Sequence, residues 1–268
     1  MNKRIITLFV GLALIVLLAV LNGAVFVVKE IEVRFQTPQH LEDQQELEQR
    51  IIDASGITIG KNIFTIREST ATENIRSAIA DIDVLAVERY TDKVVLYVAR
   101  RVPVMAIPVE AAEPDTYVIV DTVMTALRTV TNATREDLAG LIVADIIPLK
   151  GGTISIGRTL TGYGDTITRF QNVVVAFQYA GLSPEGIAGF IGRVETEENR
   201  IILYTREGLE VYVDVRERGE SDGAMLTSEQ ISERVQNFYT EWLKNPASSG
   251  QAKFDYVQGK YVFYNTDI

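Results

Sequence analysis

The stretch IITLFVGLALIVLLAVLNGAVFVVKEIEVRF, residues 5–35, changes character at residue 29, and its two halves set the expected organisation of the chain. Residues 5–28 are almost purely apolar, with polar side chains only at Thr7 and Asn22. A helix needs roughly 20 such residues to cross a bilayer core. Lys3 and Arg4 precede the run, whereas Lys29 and Glu30 cancel behind it. The positive-inside bias then predicts a cytoplasmic tip over residues 1–4, a single membrane helix over 5–28 and everything later on the far side. A cleaved signal peptide would have a shorter apolar core, roughly 7–15 residues, ending at a small-residue site. Here the run passes Asn22, Gly23 and Ala24 and continues to Val28. Residues 30–35 instead alternate strictly, placing Ile31, Val33 and Phe35 on one face of a half-buried strand.

Moving outward, residues 42–55 carry Leu47, Ile51 and Ala54 on one helical stripe, with Gly56 as the stop. The segment GKNIFTI, residues 60–66, reads as a turn and a short apolar piece. Thr70 and Glu73 have the spacing of a capping box, which predicts a second helix with Ile75, Ile79 and Ile82 inward. Strands over 85–90 and 93–99 are joined by Thr91 and Asp92. The predicted first block, residues 29–101, runs strand, helix, helix, strand, strand. Pro103, Pro108 and Pro114 mark residues 102–114 as a linker or connecting strand, because proline removes a backbone donor and restricts its predecessor.

The second block, residues 115–268, is richer in strands. Residues 117–120 form one, and residues 200–205 and 209–213 a hairpin closed at Gly208. A helix over 165–180 turns Ile167, Phe170, Val174 and Phe177 inward. Thr227 and Gln230 cap another, with Ile231, Val235, Phe238 and Trp242 on its face. A last hairpin, residues 253–257 and 260–264, turns at Gln258 and Gly259. The expected fold class is α+β: one N-terminal membrane helix, a small β-α-α-β-β domain and a larger β-rich domain.

The 268 residues are 47% hydrophobic and 23% charged, a globular balance. A net charge of −10 disfavours nucleic acid, whose phosphates such a surface repels. The absence of cysteine excludes disulfides, thiol catalysis and cysteine zinc sites. The single histidine, His40, sits before the first helix. Neither a G-x-S-x-G elbow nor an H-E-x-x-H pair occurs. Glu195, Glu197 and Glu198 are paired carboxylates of the kind a glycosidase uses, but they read as a polar loop before the strand at Arg200. Residues 162–165 read as a turn rather than a dinucleotide loop. No catalytic site, cofactor, metal or small-molecule substrate is expected.

Certain segments carry a family likeness: residues 56–57 (GI), residues 60–66 (GKNIFTI), residues 84–90, and VARRVPV over 98–104. To these are added YVIVD over 117–121, IPLKG over 147–151, LYTREG over 203–208, and Phe254-Asp255 with Tyr261-Val262. In this order the chain resembles the FtsQ/DivIB family of bacterial cell-division proteins over its whole length, with the first block resembling a POTRA domain. Arg100, Met124 and Val257 depart from the family pattern, which has Glu, Gly and Arg at those places. The resemblance implies a non-catalytic scaffold at the division septum. It would bind small bitopic coiled-coil partners of the FtsL and FtsB or DivIC type and help recruit and control septal peptidoglycan synthesis. Two other classes compete: a POTRA-bearing transport or assembly component, and a membrane-anchored cell-wall hydrolase.

The expected partner site is the last strand, Lys260, Tyr261, Val262, Phe263 and Tyr264, because no later strand in sequence covers it and an open edge accepts another chain. Tyr261 and Phe263 should face one side, Val262 and Tyr264 the other. By the family's arrangement, Arg200 on a nearby strand would meet an acidic partner residue.

Overall fold

A computed structural model describes residues 9–16, 25–36, 44–150, 154–161, 163–246 and 249–264. The chain divides into two compact units, Met1–Arg101 and Val102–Ile268. Both are α+β.

In the first unit, strand β1 (Glu30–Phe35) is followed by helices α1 (Gln44–Ser55) and α2 (Glu68–Ala78), then strands β2 (Ile82–Arg89) and β3 (Lys93–Arg100). The sheet order is β1-β3-β2, with β1 parallel to β3 and β2 antiparallel to it. Parallel neighbours need a long crossover, and the two helices supply it. Their stripes meet the sheet through Ile51, Ile75, Ile82, Val94, Leu96 and Val98, all fully buried. Gly56, at φ 67, ends α1 in a conformation that a side chain resists. On the open side of β1, Glu32 meets Arg34 and Lys93. The Arg34 hydrogen bond, then that of Lys93, holds its carboxyl down at about 2.

Two expectations fail here. The capping box at Thr70 and Glu73 does not start α2, which begins three residues before Glu73's turn would allow. Its N-cap is Arg67 and makes no side-chain cap. Buried Ile66, whose carbonyl accepts from Arg89 Nη1 at 3.0 Å, closes the 3-10 turn over Ile63–Thr65 and leads directly into the helix. Ile82 is the first residue of β2 rather than a member of the helix stripe.

The single membrane helix over 5–28 is also corrected. Among the described residues no helix is long and apolar enough to cross a membrane. Residues 9–16 are helical and exposed. The end of the apolar run is spent differently. Val27 bridges Asn62, and Val28 is fully buried in the first unit. The Val28 N–H donates to Lys61 O (2.9 Å), and its carbonyl accepts from Gly60 (2.8 Å). Residues 5–8 and 17–24, with Thr7 and Asn22, lie outside the described residues, as does His40.

The second unit is one nine-stranded sheet. Its strands are β4 (Met105–Pro108), β5 (Tyr117–Val120), β6 (Ala126–Val130), β7 (Ile142–Asp145), β8 (Ile191–Thr196), β9 (Arg200–Thr205), β10 (Leu209–Asp214), β11 (Gly250–Asp255) and β12 (Lys260–Tyr264). The order is β12-β11-β10-β9-β8-β7-β4-β5-β6. Helices α3 (Asp165–Tyr179) and α4 (Pro184–Phe190) connect β7 to its parallel neighbour β8, and α5 (Ser228–Lys244) connects β10 to its parallel neighbour β11. The α3 and α5 stripes supply Phe170, Val174, Phe177, Val235 and Phe238, all fully buried against the sheet. Both halves of the Thr227–Gln230 capping box form at the start of α5.

Of the two expectations for 102–114, a linker or a connecting strand, the structure shows a strand that belongs to this sheet. β4 lies inside it, between β5 and β7. Val104, Met105, Ala106, Ile107 and Val109 are buried. The prolines are tolerated because Pro103 precedes β4 and Pro108 is its last residue. Met124 takes φ 61 while fully buried. Asp121 Oδ1 secures that turn by accepting from Val123 N (3.0 Å) and Thr125 N (2.8 Å).

Candidate functional site

β12 ends the sheet, and among the described residues no strand pairs with its outer side. Its neighbour β11 runs antiparallel, joined by the turn over residues 256–259, where Gly259 takes φ 67. Asp255 Oδ1 accepts from the N–H of Val257 (2.8 Å) and Gln258 (3.1 Å), which fixes the turn and lowers the carboxyl pKa. β12 is therefore anchored at one end by chemistry local to its own hairpin.

Side chains alternate along β12 as the pleat requires. Tyr261, only 2% exposed, packs under α5 between Phe238 (ring centroids 5.6 Å) and Phe254 (5.5 Å). Its hydroxyl donates to Tyr212 O at 3.1 Å, and burial pushes the phenol pKa far up. Phe263 lies on the same face, 6.3 Å from Phe238. Lys260, Val262 and Tyr264 take the opposite face, and Tyr264 is 51% exposed.

That outer face continues across the sheet as two rows read from the register. Val262 stands beside Lys253, Tyr212 and Ile202, and Tyr264 beside Gln251, Glu210 and Tyr204. The rows are cross-linked. Lys253 Nζ lies 4.9 Å from the Tyr212 ring centroid, and Gln251 Nε2 donates to Tyr212 Oη (3.2 Å) and Glu210 (3.3 Å). Further along, the Arg193 guanidinium sits 3.7 Å over Tyr204, whose hydroxyl donates to Glu195 (2.9 Å). Arg200 shares this face, on β9. Two strands separate it from β12, about 14 Å at the usual strand spacing. It lies 5.7 Å over Tyr212 and 3.4 Å from Glu197, too poorly aimed for a hydrogen bond. The structure thus brings Lys260–Tyr264 together as one edge and places Arg200 apart from it.

The edge has company that the sequence did not flag. Asn237 of α5 accepts the Tyr261 N–H on Oδ1 (3.3 Å) and donates from Nδ2 to Gly259 O (3.5 Å). Arg234 of the same helix stacks 3.6 Å over Phe254 and 4.7 Å over Tyr256, and Tyr256 donates to Asp214 (2.7 Å). Spacing along α5 shows that Arg234 and Asn237 neighbour each other, but nothing local says that both meet the terminal hairpin.

Like Tyr261, the phenols of Tyr204, Tyr212 and Tyr256 titrate late. Burial, then the hydrogen bond to Glu195, pushes Tyr204 up to about 12. Burial, then Asp214, pushes Tyr256 to about 12. A raised folded-state pKa contributes stability that is complete below the unfolded value of about 10 and is lost as pH rises through the folded value. Denaturant midpoints measured from pH 8 to 12 are therefore expected to hold until about pH 10 and then fall. Tyr204→Phe should flatten part of that fall, and an identical alkaline profile for the variant would refute the assignment.

Of the carboxylates noted earlier, Glu197 and Glu198 lie in the loop before Arg200, as expected, and only Glu195 belongs to a strand. Glu195 is on β8 and engaged by Tyr204, whereas Glu197 faces Arg200 across the β8–β9 turn. Among the described residues no group of three or more His, Cys, Asp or Glu gathers as a metal site. In the first unit an open cleft of about 440 Å³ is lined by Phe26, Ile63, Phe64, Arg89, Tyr90 and Thr91, an aromatic and cationic set without a carboxylate. Set against known proteins, the chain matches no family model and no curated protein.

Proposed function

We propose that the protein is a non-catalytic scaffold of bacterial cell division, of the FtsQ/DivIB kind, whose terminal strand β12 captures a small bitopic partner of the FtsB, DivIC or FtsL type. Through that capture it helps recruit and regulate septal peptidoglycan synthesis at the outer side of the division site. The observation that carries the reading is the position of β12 at the sheet end with an exposed outer face at Tyr264. An open edge gives backbone hydrogen bonds to an added strand, and alternate side chains give it specificity. The order strand, helix, helix, strand, strand of the first unit supports the POTRA likeness. The second unit is an open sheet with ends at β12 and β6, which weighs against a closed barrel of a transport component. The engagement of Glu195 by Tyr204 and of Glu197 by Arg200 weighs against a hydrolase.

The test is a fluorescent fusion of the full chain in its dividing host, with co-purification of the host's FtsB- or DivIC-type protein. A midcell band with stoichiometric partner is the expected result. A uniform distribution, with no partner retained, would overturn the reading.

A further inference from the structure

In an antiparallel pair, the backbone groups of successive residues point alternately toward and away from the neighbour. The Tyr261 N–H donates to Asn237 Oδ1, a side chain of α5, at 3.3 Å. That bond identifies Tyr261 as a residue whose backbone faces away from β11, and alternation gives Phe263 the same direction. The outward groups of β12 are then the N–H and C=O of Tyr261 and of Phe263. Asn237 has already taken the first of these. Its Nδ2 also reaches Gly259 O at 3.5 Å. Around Lys260 its carboxamide therefore meets the preceding carbonyl and the following N–H. These are the two groups that one residue of a parallel neighbouring strand would bond.

We propose that Asn237 sets the register at which a partner strand joins β12, by standing in for that strand at the Lys260 end of the edge. The inference rests on the edge-pairing reading above and adds where the pairing begins. Among the described residues nothing bonds Tyr261 C=O, Phe263 N–H or Phe263 C=O, and a partner that pairs there can extend toward Lys260 only by displacing the carboxamide. A strand slipped by two residues would have to give up a backbone bond there. A strand slipped by one would exchange its two faces, turning the side chains meant for Phe263 toward Tyr264 and those meant for Tyr264 toward Phe263. Edge protection alone would need only a bulky or charged neighbour. The paired donor and acceptor of Asn237 do more, since they select one starting point.

The experiment uses the full chain, the variants Asn237→Ala and Asn237→Asp, and the purified extracytoplasmic segment of the host's own FtsB- or DivIC-type protein as probe. Amide hydrogen exchange is read at Tyr261 and Phe263, with and without the segment. In the free wild-type chain Tyr261 should exchange at least tenfold more slowly than Phe263. Asn237→Ala should abolish that difference, and Asn237→Asp, which keeps the acceptor, should retain it. The segment should protect Phe263 alone in the wild type but both amides in Asn237→Ala. Binding to Asn237→Ala should be tighter by roughly threefold to tenfold, the worth of one net hydrogen bond. Protection of Phe263 with the same register and affinity in wild type and Asn237→Ala would overturn the role of Asn237 while leaving the edge reading intact. A segment that protects neither amide in any variant would overturn the edge reading, and the register proposal with it.

Discussion

Tyr264→Glu is expected to weaken retention of the bitopic partner by at least tenfold while leaving the fold intact. Tyr264 is 51% exposed and stands beside Gln251 at the open end of the sheet. An incoming strand would cover its ring, and tyrosines so covered are among the residues that dominate binding energy, with truncation costing about 2 kcal/mol or more. That corresponds to roughly 30-fold in affinity. Glutamate removes the ring's contact and adds a carboxylate that the bound strand would desolvate. Stability should move by no more than about 0.5 kcal/mol, as for other exposed substitutions. Val257→Glu is the matching control. Val257 is 96% exposed at the tip of the same hairpin, outside the β11–β12 ladder. It should bind as the wild type does. The measurement is a titration of the partner segment by calorimetry, with thermal melts of each variant alongside. A folded Tyr264→Glu chain with wild-type affinity would show that the partner does not sit on β12.

Phe238→Ala is expected to cost the second unit about 3–5 kcal/mol, the usual range for truncating a fully buried phenylalanine. Phe238 is 0% exposed and touches the rings of Phe190 (6.2 Å), Tyr261 (5.6 Å) and Phe263 (6.3 Å). It is the point where α5 holds the inner face of β12. A unit of this size loses about 2–4 °C per kcal/mol, so the melting midpoint should fall by roughly 6–20 °C. The loss should be uneven. Amide exchange should accelerate most in β12, whose inward side chains lose their shared neighbour, and partner binding should weaken with it. The first unit has a separate core around Ile51, Ile75 and Leu96, and its exchange should stay unchanged. Phe238→Leu keeps most of the volume and should cost less than half as much. A midpoint within 2 °C of wild type for Phe238→Ala, with β12 exchange unaltered, would mean that α5 does not support this edge.

Much of the local structure was legible because the signals were periodic. EIEVRF alternates and forms β1, and the Ile231, Val235, Phe238 and Trp242 spacing forms the inner stripe of α5. The Thr227–Gln230 box was legible because a cap is satisfied by neighbours within three residues. The same pattern at Thr70 misled, since α2 starts three residues earlier, from Arg67, with no side-chain cap. β6, β7 and β8 went unread for a different reason, and β4 was only one of two readings of its segment. Each is only four to six residues long, and most of their side chains are buried or carry no strict alternation. β4 is covered on both faces, so MAIP, with Pro103 before it and Pro108 at its end, left a linker and a connecting strand equally open. The apolar run 5–28 was read as one helix by length and hydropathy. Hydropathy reports apolar content and does not distinguish a bilayer from a protein core, and Val28 entered the core of the first unit.

The sequence by itself determined which segments become strands and helices where a period of two or 3.6 residues is sustained, and which faces of them are apolar. It also determined that the last hairpin closes at Gly259, because turn chemistry is local. Only the tertiary structure decided that β12 is an edge. Strand order depends on which apolar faces find each other across long separations, and β10 pairs in parallel with β11 only because α5 carries the chain back over the sheet. The same long-range packing turned Tyr261 inward, left Tyr264 outward, set Arg200 two strands away, and delivered Asn237 to the Tyr261 amide. None of these contacts joins residues closer than about six helical turns or a full hairpin in sequence, and a one-dimensional pattern carries no term for them.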